Sequence, residues 1–526
     1  MIRLIGMVQF RCNMQGQPIY IMQQGTTQEK GRTAQTNNIA AAKAVAQAVR
    51  TTLGPMGMDK MLVDEGGDVI ITNDGATILS EIDIEHPTAK MIIGIAKTQE
   101  QECYDGTTSA VIVAGELLKR CEGLIEQNVH PTTICRGLRK GLIFLMGELN
   151  AYEIADFDLM QIAKTALTGK SADSFKDVIG DICVKAVQNT SSLEEIRITK
   201  ALGGSAGDSE IINGIIIDKE RCHPAMPTLL DHPSIALIDA NLGVKQTEIE
   251  ANIQITDPAQ MESFLAKEEA ELEKMAFAFD EVGANIVLCQ REIDDLVKYH
   301  FAKLGILALE KVTMTDMEAV AAASGSTIVN NIKDLASSPL GTFNKAEQIT
   351  IGEMPLLRLD EGNSDAVTVL LRGPTTHFVE EIERAFDDAS GVVSVAIKDG
   401  KILAGGGSVY AGLSHALTVH ASNIGGREGM AMGIMGDALE SIPRTLAENA
   451  GLDPVDEMMN LNKAHASGDM YHGINIEVGG TIDMRELGVF EPKRVVEQAL
   501  KSAVETAIMV LRIDDIISSK KGQPQG

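Results

Sequence analysis

Between Asn285 and Asn330, short apolar runs alternate with amphipathic stretches, and this limits the fold more than any other feature of the chain. The pattern predicts strand over 285–288, helix over 294–303, strand over 306–309, helix over 316–323 and strand over 328–330. Strands joined through helices run the same way, so a parallel sheet covered by helices is expected. Thr315 and Glu318 suit a capping box for the second of these helices. No comparable alternation occurs in the first third of the chain. There, apolar residues recur at helical spacing over 37–53, 88–103 and 108–126, and His130-Pro131 starts a further helix through Leu145. Residues 156–200 read as mixed helical, Gly203-Gly204-Ser205 marks a break, and short β-rich runs follow from Ile211. Residues 366–371 read as a buried strand, the stretch from Pro374 through Ser390 as helix, and the rest as helical again, closing at 508–517. A chain of 526 residues is too long for one core, so roughly two to four domains are expected. The parallel-sheet segment is inserted within a helical one.

The net charge of −28 argues against nucleic acid as a partner, since phosphate backbones call for clustered Lys and Arg. Seven Cys lie scattered with no Cys-x-x-Cys pair, the pattern of reduced structural thiols in a cytoplasmic protein. Ten His are equally dispersed, and no zinc-ligand spacing is present. No run is apolar enough to span a membrane. Leu4 to Phe10 is too short for a signal peptide, and residues 1–13 read as an extension.

Two phosphate-type segments stand where helix meets loop. Thr51-Thr52-Leu53-Gly54-Pro55-Met56-Gly57 closes one apolar-periodic run, and Tyr104-Asp105-Gly106-Thr107-Thr108-Ser109 opens another. A helix starting Gly-Thr-Thr-Ser presents backbone N–H groups and hydroxyls to an anion. Asp105 suits a Mg²⁺ that bridges phosphate oxygens better than a bare phosphate. Between them, a strand ends in the turn Asn73-Asp74-Gly75-Ala76-Thr77, and a Gly405-Gly406-Gly407 turn follows far downstream. Each alone is an ordinary turn or cap.

In this order the segments resemble the group II chaperonins of the archaeal thermosome type, from about Gln17 to Ile517. The resemblance implies a multi-domain α+β and α/β fold. It has a mostly helical equatorial domain (1–155 and 404–526), a hinge-like intermediate domain (156–228 and 372–403) and an apical domain (229–371). The apical domain would carry the parallel sheet and a helical protrusion at about 242–277 that serves as a lid. Asp257-Pro258 reads as the start of the long helix there, with Asp257 as its cap. The resemblance further implies ATP or ADP with Mg²⁺. Asp105 would hold the metal, while Leu53, Gly54, Pro55, Gly106, Thr107, Thr108, Ser109 and Gly406 would cradle the nucleotide. Asn475 and Glu491 match positions facing base and ribose, and Lys170 matches a residue sensing the γ-phosphate. Asp74 and Asp388 match residues that position or activate the attacking water; Asp388 keeps the family's spacing to Gly405. Partners would be non-native proteins and like subunits, in two stacked rings on the order of eight each, homomeric or heteromeric.

Each residue also has a plainer reading: Asp388 as a solvated carboxylate, Asp74 as a turn former, Lys170 as a surface lysine, and the 258–279 helix as core packing. Two departures from the family stand out. Tyr104 replaces a Gly, and Met56 replaces a Lys. They keep open a subunit that binds nucleotide but scarcely hydrolyses it. A small-molecule kinase is disfavoured because no Gly-x-x-x-x-Gly-Lys-Ser/Thr loop is present.

Overall fold

The computed structural model describes residues 11–12, 18–19, 26–63, 66–67, 69–170, 172–243, 258–362 and 367–519. The chain forms two compact units, one from Met1–Ala155 with Lys401–Gly526 and one from Asp156–Gly400.

The first unit is mostly helical. At its centre lies the helix Thr107–Glu126, in which every residue from Ala110 to Leu118 is buried. The helices Arg32–Arg50, Pro87–Cys103, Gly426–Leu439 and Lys493–Leu511 pack around it. Gly115 lets the first of these come close: a Cβ there would lie 2.3 Å from that of Ala46. Ala, Val, Ile and Leu fill this interior, so the missing Trp costs the core nothing. Strand Thr26–Lys30 pairs antiparallel with Asp515–Ser519, joining the unit's early and late chain segments. A hairpin joins Lys60–Val63 to Val69–Thr72. The expected helix over 37–53 starts earlier and stops at Arg50. The last segment is less helical than its sequence suggests, since it includes the hairpin His472–Ile474 with Thr481–Asp483 and the strand Phe490–Pro492.

The second unit contains the parallel sheet. Strands Ser234–Ile238, Ile286–Cys289, Leu307–Leu309 and Ile328–Val329 all run the same way, with Gly341–Thr342 antiparallel at one edge. Helices Pro258–Glu281, Asp295–Leu304 and Met314–Ser324 provide the crossovers. Leu272, Ala276 and Phe279 bury the inner stripe of the first, where Phe279 meets Phe301 edge-on at 5.4 Å. The cap assigned to Asp257 and residues 244–257 of the expected protrusion lie outside the described residues. Strand Val367–Gly373 pairs parallel with Ile196–Leu202, and the following helix, Thr376–Asp399, runs well past Ser390.

One local reading is corrected. The cap of Met314–Ser324 is Thr313, whose hydroxyl meets the Asp316 carboxylate at 2.7 Å and accepts the Asp316 N–H at 3.2 Å. Thr315 and Glu318 have the right types, but the helix begins a residue before Thr315. Thr313→Ala therefore weakens the first turn by about 1 kcal/mol. Hydrogen exchange should show the Asp316 and Met317 amides opening roughly fivefold faster, with little change in Thr315→Ala.

Candidate functional site

The first unit gathers the glycine turns and the carboxylates around the start of its central helix. Gly106 caps that helix at φ +77°, in the left-handed region open to a residue without Cβ. A Cβ there would also meet Val495 at 2.7 Å. With glycine at the cap, no side chain takes the first N–H groups of Thr107, Thr108 and Ser109, which leaves a helix N-terminus suited to an anion. Asp105 Oδ1 accepts the Gly106 N–H at 2.7 Å.

Asp74 caps the short helix Gly75–Glu81 by accepting the Thr77 N–H at 2.6 Å, and its other oxygen accepts the Thr107 hydroxyl at 3.3 Å. Gly75 makes this juxtaposition possible, because a Cβ there would lie 2.5 Å from Thr108 Oγ1. The Asp74 turn and the Gly106-Thr107-Thr108 segment are thus one structure. Beside them, burial and then the charge of Asp74 raise the Glu100 carboxyl.

The first phosphate-type loop leaves the helix Arg32–Arg50 through Leu53, Gly54 (φ +82°) and Pro55. The Gly57 N–H donates to Gly54 O at 2.9 Å, and Leu446 lies directly beneath Gly54. Met56 is half exposed. On the far side, the Gly405-Gly406-Gly407 turn is pressed against its neighbours. The Gly405 N–H donates to Val489 O, and Gly406 O accepts from Ile474 N–H. Gly406 therefore lies beside both the strand of Glu491 and the hairpin strand that leads into Asn475. Asn475 shapes that hairpin's turn, its Oδ1 accepting the Glu477 N–H at 3.1 Å.

Part of Glu491 reaches solvent, but its carboxyl is enclosed. Burial, and then the charge of Asp105, push it up to about 8. Burial, followed by Glu491 and Asp105, also raises the Tyr410 hydroxyl. Asp105 and Glu491 thus lie close enough to interact, and Asp105 is the acid available to a divalent metal. Among the described residues, no group of three or more His, Cys, Asp or Glu could hold a metal. Mg²⁺ commonly needs no such group, being held by one or two carboxylates together with phosphate oxygens and water.

Lys170 and Asp388 belong to the second unit, and there they meet. Lys170 follows Gly169 after the helix Leu159–Leu167, Asp388 lies on Thr376–Asp399, and the two helices pack together. The ammonium donates directly to Asp388 Oδ2, with both side chains about one-fifth exposed (18% and 21%). Nothing local in the sequence links residues so far apart.

Tyr104 adopts φ +60°, ψ 0°, and its N–H donates to Glu100 O at 2.9 Å. The turn that a glycine would make without strain is kept, at a cost of about 1 kcal/mol or more. Sequence reading did not single out Gln99, Glu100, Tyr410 or Asn449. Their only local signal was helical periodicity.

The Glu491 shift has a testable sign. An acid held at about 8 when folded, against an ordinary 4.5, keeps its proton longer in the folded state. Its contribution to stability is therefore lost as pH rises across that interval and is constant above it. Nucleotide-free, Mg²⁺-free Glu491→Gln should melt above the wild type at pH 8–9 and converge with it near pH 4.5. Parallel melting curves would contradict the assignment.

The TCP-1/cpn60 chaperonin family matches residues 45–521. The chain is 47% identical over 522 residues to thermosome subunit beta of Archaeoglobus fulgidus, covering 96% of each. It is 46% identical over 525 residues to thermosome subunit alpha of Thermoplasma acidophilum, covering 97% of this chain and 96% of the relative. It is also 47% identical to the thermosome subunit of Methanopyrus kandleri, again over 96% of both. With a family match across most of its length and relatives this similar end to end, the chain belongs to the TCP-1/cpn60 chaperonin family.

Proposed function

We propose that this chain is an ATP-hydrolysing subunit of a double-ring group II chaperonin that encloses non-native proteins. The observation that carries the reading is the meeting of Asp74, Asp105 and the glycine-capped N-terminus of Thr107–Glu126. The names of the thermosome relatives support it. In this reading Gly54, Pro55 and the Gly106–Ser109 segment hold phosphates, Gly406 backs the nucleotide, and Asn475 and Glu491 face base and ribose. Asp105 would hold Mg²⁺, which when bound neutralises phosphate charge. Asp74 orients the attacking water, held in place by Thr77 and Thr107.

Asp388 is the general base. It pairs with Lys170 in the second unit, and Lys170 provides an ammonium that can follow γ-phosphate charge. A base carried on a separate unit couples turnover to domain movement. The division into equatorial (1–155, 404–526), intermediate (156–228, 372–403) and apical (229–371) domains, with a lid at about 242–277, belongs to this proposal.

Ring assembly is supported by an uncovered apolar face. Met61, Val63, Val69 and Ile71 share one side of the hairpin and are 65, 62, 37 and 49% exposed. Such a face calls for a partner, and a like subunit offers one through a heterologous contact that closes into a ring. Enclosure would separate a folding client from the molecules with which it aggregates.

Asp388→Asn should bind Mg·ATP normally yet lose roughly two to four decades of turnover, whereas Asp105→Ala should weaken binding itself. Steady-state hydrolysis, together with calorimetric binding, separates the two effects. Wild-type turnover in Asp388→Asn would remove it from the mechanism.

The left-handed Tyr104 and the neutral Met56 favour a second reading, a ring subunit that binds nucleotide but hydrolyses it slowly. Tyr104→Gly relaxes the turn and should tighten ATP binding or raise turnover. If neither changes, the main support for slow hydrolysis is gone.

A further inference from the structure

Both phosphate-facing loops are held by the side-chain amide of a residue that belongs to neither. Asn449, the last residue of the helix Ser441–Asn449, donates from Nδ2 to Arg50 O at 3.1 Å and to Leu53 O at 2.8 Å. Gln99, fully buried in Pro87–Cys103, donates from Nε2 to Asp105 O at 2.8 Å and to Val495 O at 3.0 Å. In each pair both acceptors are main-chain carbonyls, so the nitrogen must face them and the amide orientation is unambiguous.

Two of these carbonyls, those of Leu53 and Asp105, immediately precede Gly54 and Gly106. A peptide group is planar, and no cis peptide occurs among the described residues, so fixing a C=O also fixes the opposed N–H of the next residue. Asn449 thereby aims the Gly54 N–H away from itself. Gln99 aims the Gly106 N–H, and that N–H is the donor to Asp105 Oδ1. One buried amide therefore orients the Asp105 carboxylate through a single peptide plane.

The surroundings reinforce the arrangement. Arg50, whose carbonyl Asn449 holds, pairs through its guanidinium with Glu116 at 2.9 Å and with Glu448 at 3.2 Å. The helix that ends at Asn449 also places Leu446 beneath Gly54 and Pro443 beneath Gly407. It supports both glycine turns from one rigid element.

We propose that Gln99 and Asn449 are positioning residues for nucleotide, Asn449 setting the Gly54 amide and Gln99 setting the Asp105 carboxylate. This rests on the nucleotide reading of the site. Asn449→Asp and Gln99→Glu keep the shape while replacing donors with acceptors against two carbonyls. Asn449→Ala and Gln99→Met remove the donors without that repulsion.

Calorimetry with Mg·ADP on the assembled protein should show the dissociation constant rising roughly tenfold or more in each variant, the scale of two lost hydrogen bonds. KM for ATP should rise with it, while kcat in Asn449→Ala stays within about threefold of wild type. Only the Gln99 variants should need more Mg²⁺ to reach half-saturation with ADP. In nucleotide-free protein, the 51–58 amides should exchange faster in Asn449→Ala.

Unchanged ADP affinity in Asn449→Ala and Gln99→Met would overturn the positioning role alone. Absence of Mg·ADP binding by the wild type would overturn the site reading and this inference with it. Loss of cooperative melting in every variant would overturn positioning in favour of a purely structural role.

Discussion

The burial of the helix Thr107–Glu126 is the constraint on which the first unit depends. Other helices cover it over nine consecutive residues, Ala110 to Leu118. Each large apolar side chain buried there contributes about 1.5–3 kcal/mol relative to solvent. A helix held so firmly cannot rotate or slide without breaking many contacts, so its first turn is a fixed object. Gly106, Thr107 and Thr108 therefore stand at a defined place, and the Asp74 turn is built onto them through Gly75 and the Thr107 hydroxyl. The Asp74 and Asp105 turns thus sit at the start of a helix buried over nine consecutive residues.

Electrostatics sets a tension against that packing. Asp105, Glu491 and the nearby Glu100 and Asp74 place carboxyls close together, and burial first, with a neighbouring carboxylate second, raises Glu100 and Glu491 above their usual range. Packing enforces an arrangement that the charges oppose. Under the proposed nucleotide reading, a bound cation would relieve that opposition. The second unit shows the opposite solution, where Asp388 is matched by Lys170.

Strands and helices of the parallel-sheet segment were legible because their apolar periods are clean. Strands Ile286–Cys289 and Leu307–Leu309 are buried on both faces, and each is followed by a helix with a side-chain cap. Where readings slipped, a neighbouring residue of the same chemical type could serve equally well. Thr313 and Thr315 are both adequate caps by residue type, and in the fold it is Thr313 that accepts the Asp316 N–H, with Met317 and Val320 turned into the core. The small strands after residue 470 were missed because each is about three residues long, too short for a period to show, and Phe490–Pro492 finds its partner strand in the distant Ile402–Ala404.

The sequence by itself determined the types of element, their order and the chemical groups available: glycines where the backbone turns left-handed, carboxylates beside helix starts, and a family pattern spanning nearly the whole chain. These are local properties, written in spacing and residue type. Tertiary structure decided which groups meet. Gln99 reaches Asp105 and Val495, Asn449 reaches Leu53, and Lys170 reaches Asp388 across 218 positions. Such contacts depend on helix crossings set by side-chain volume, as where Gly115 admits Ala46. Close packing of a whole core is a collective property, and no local window of sequence contains it.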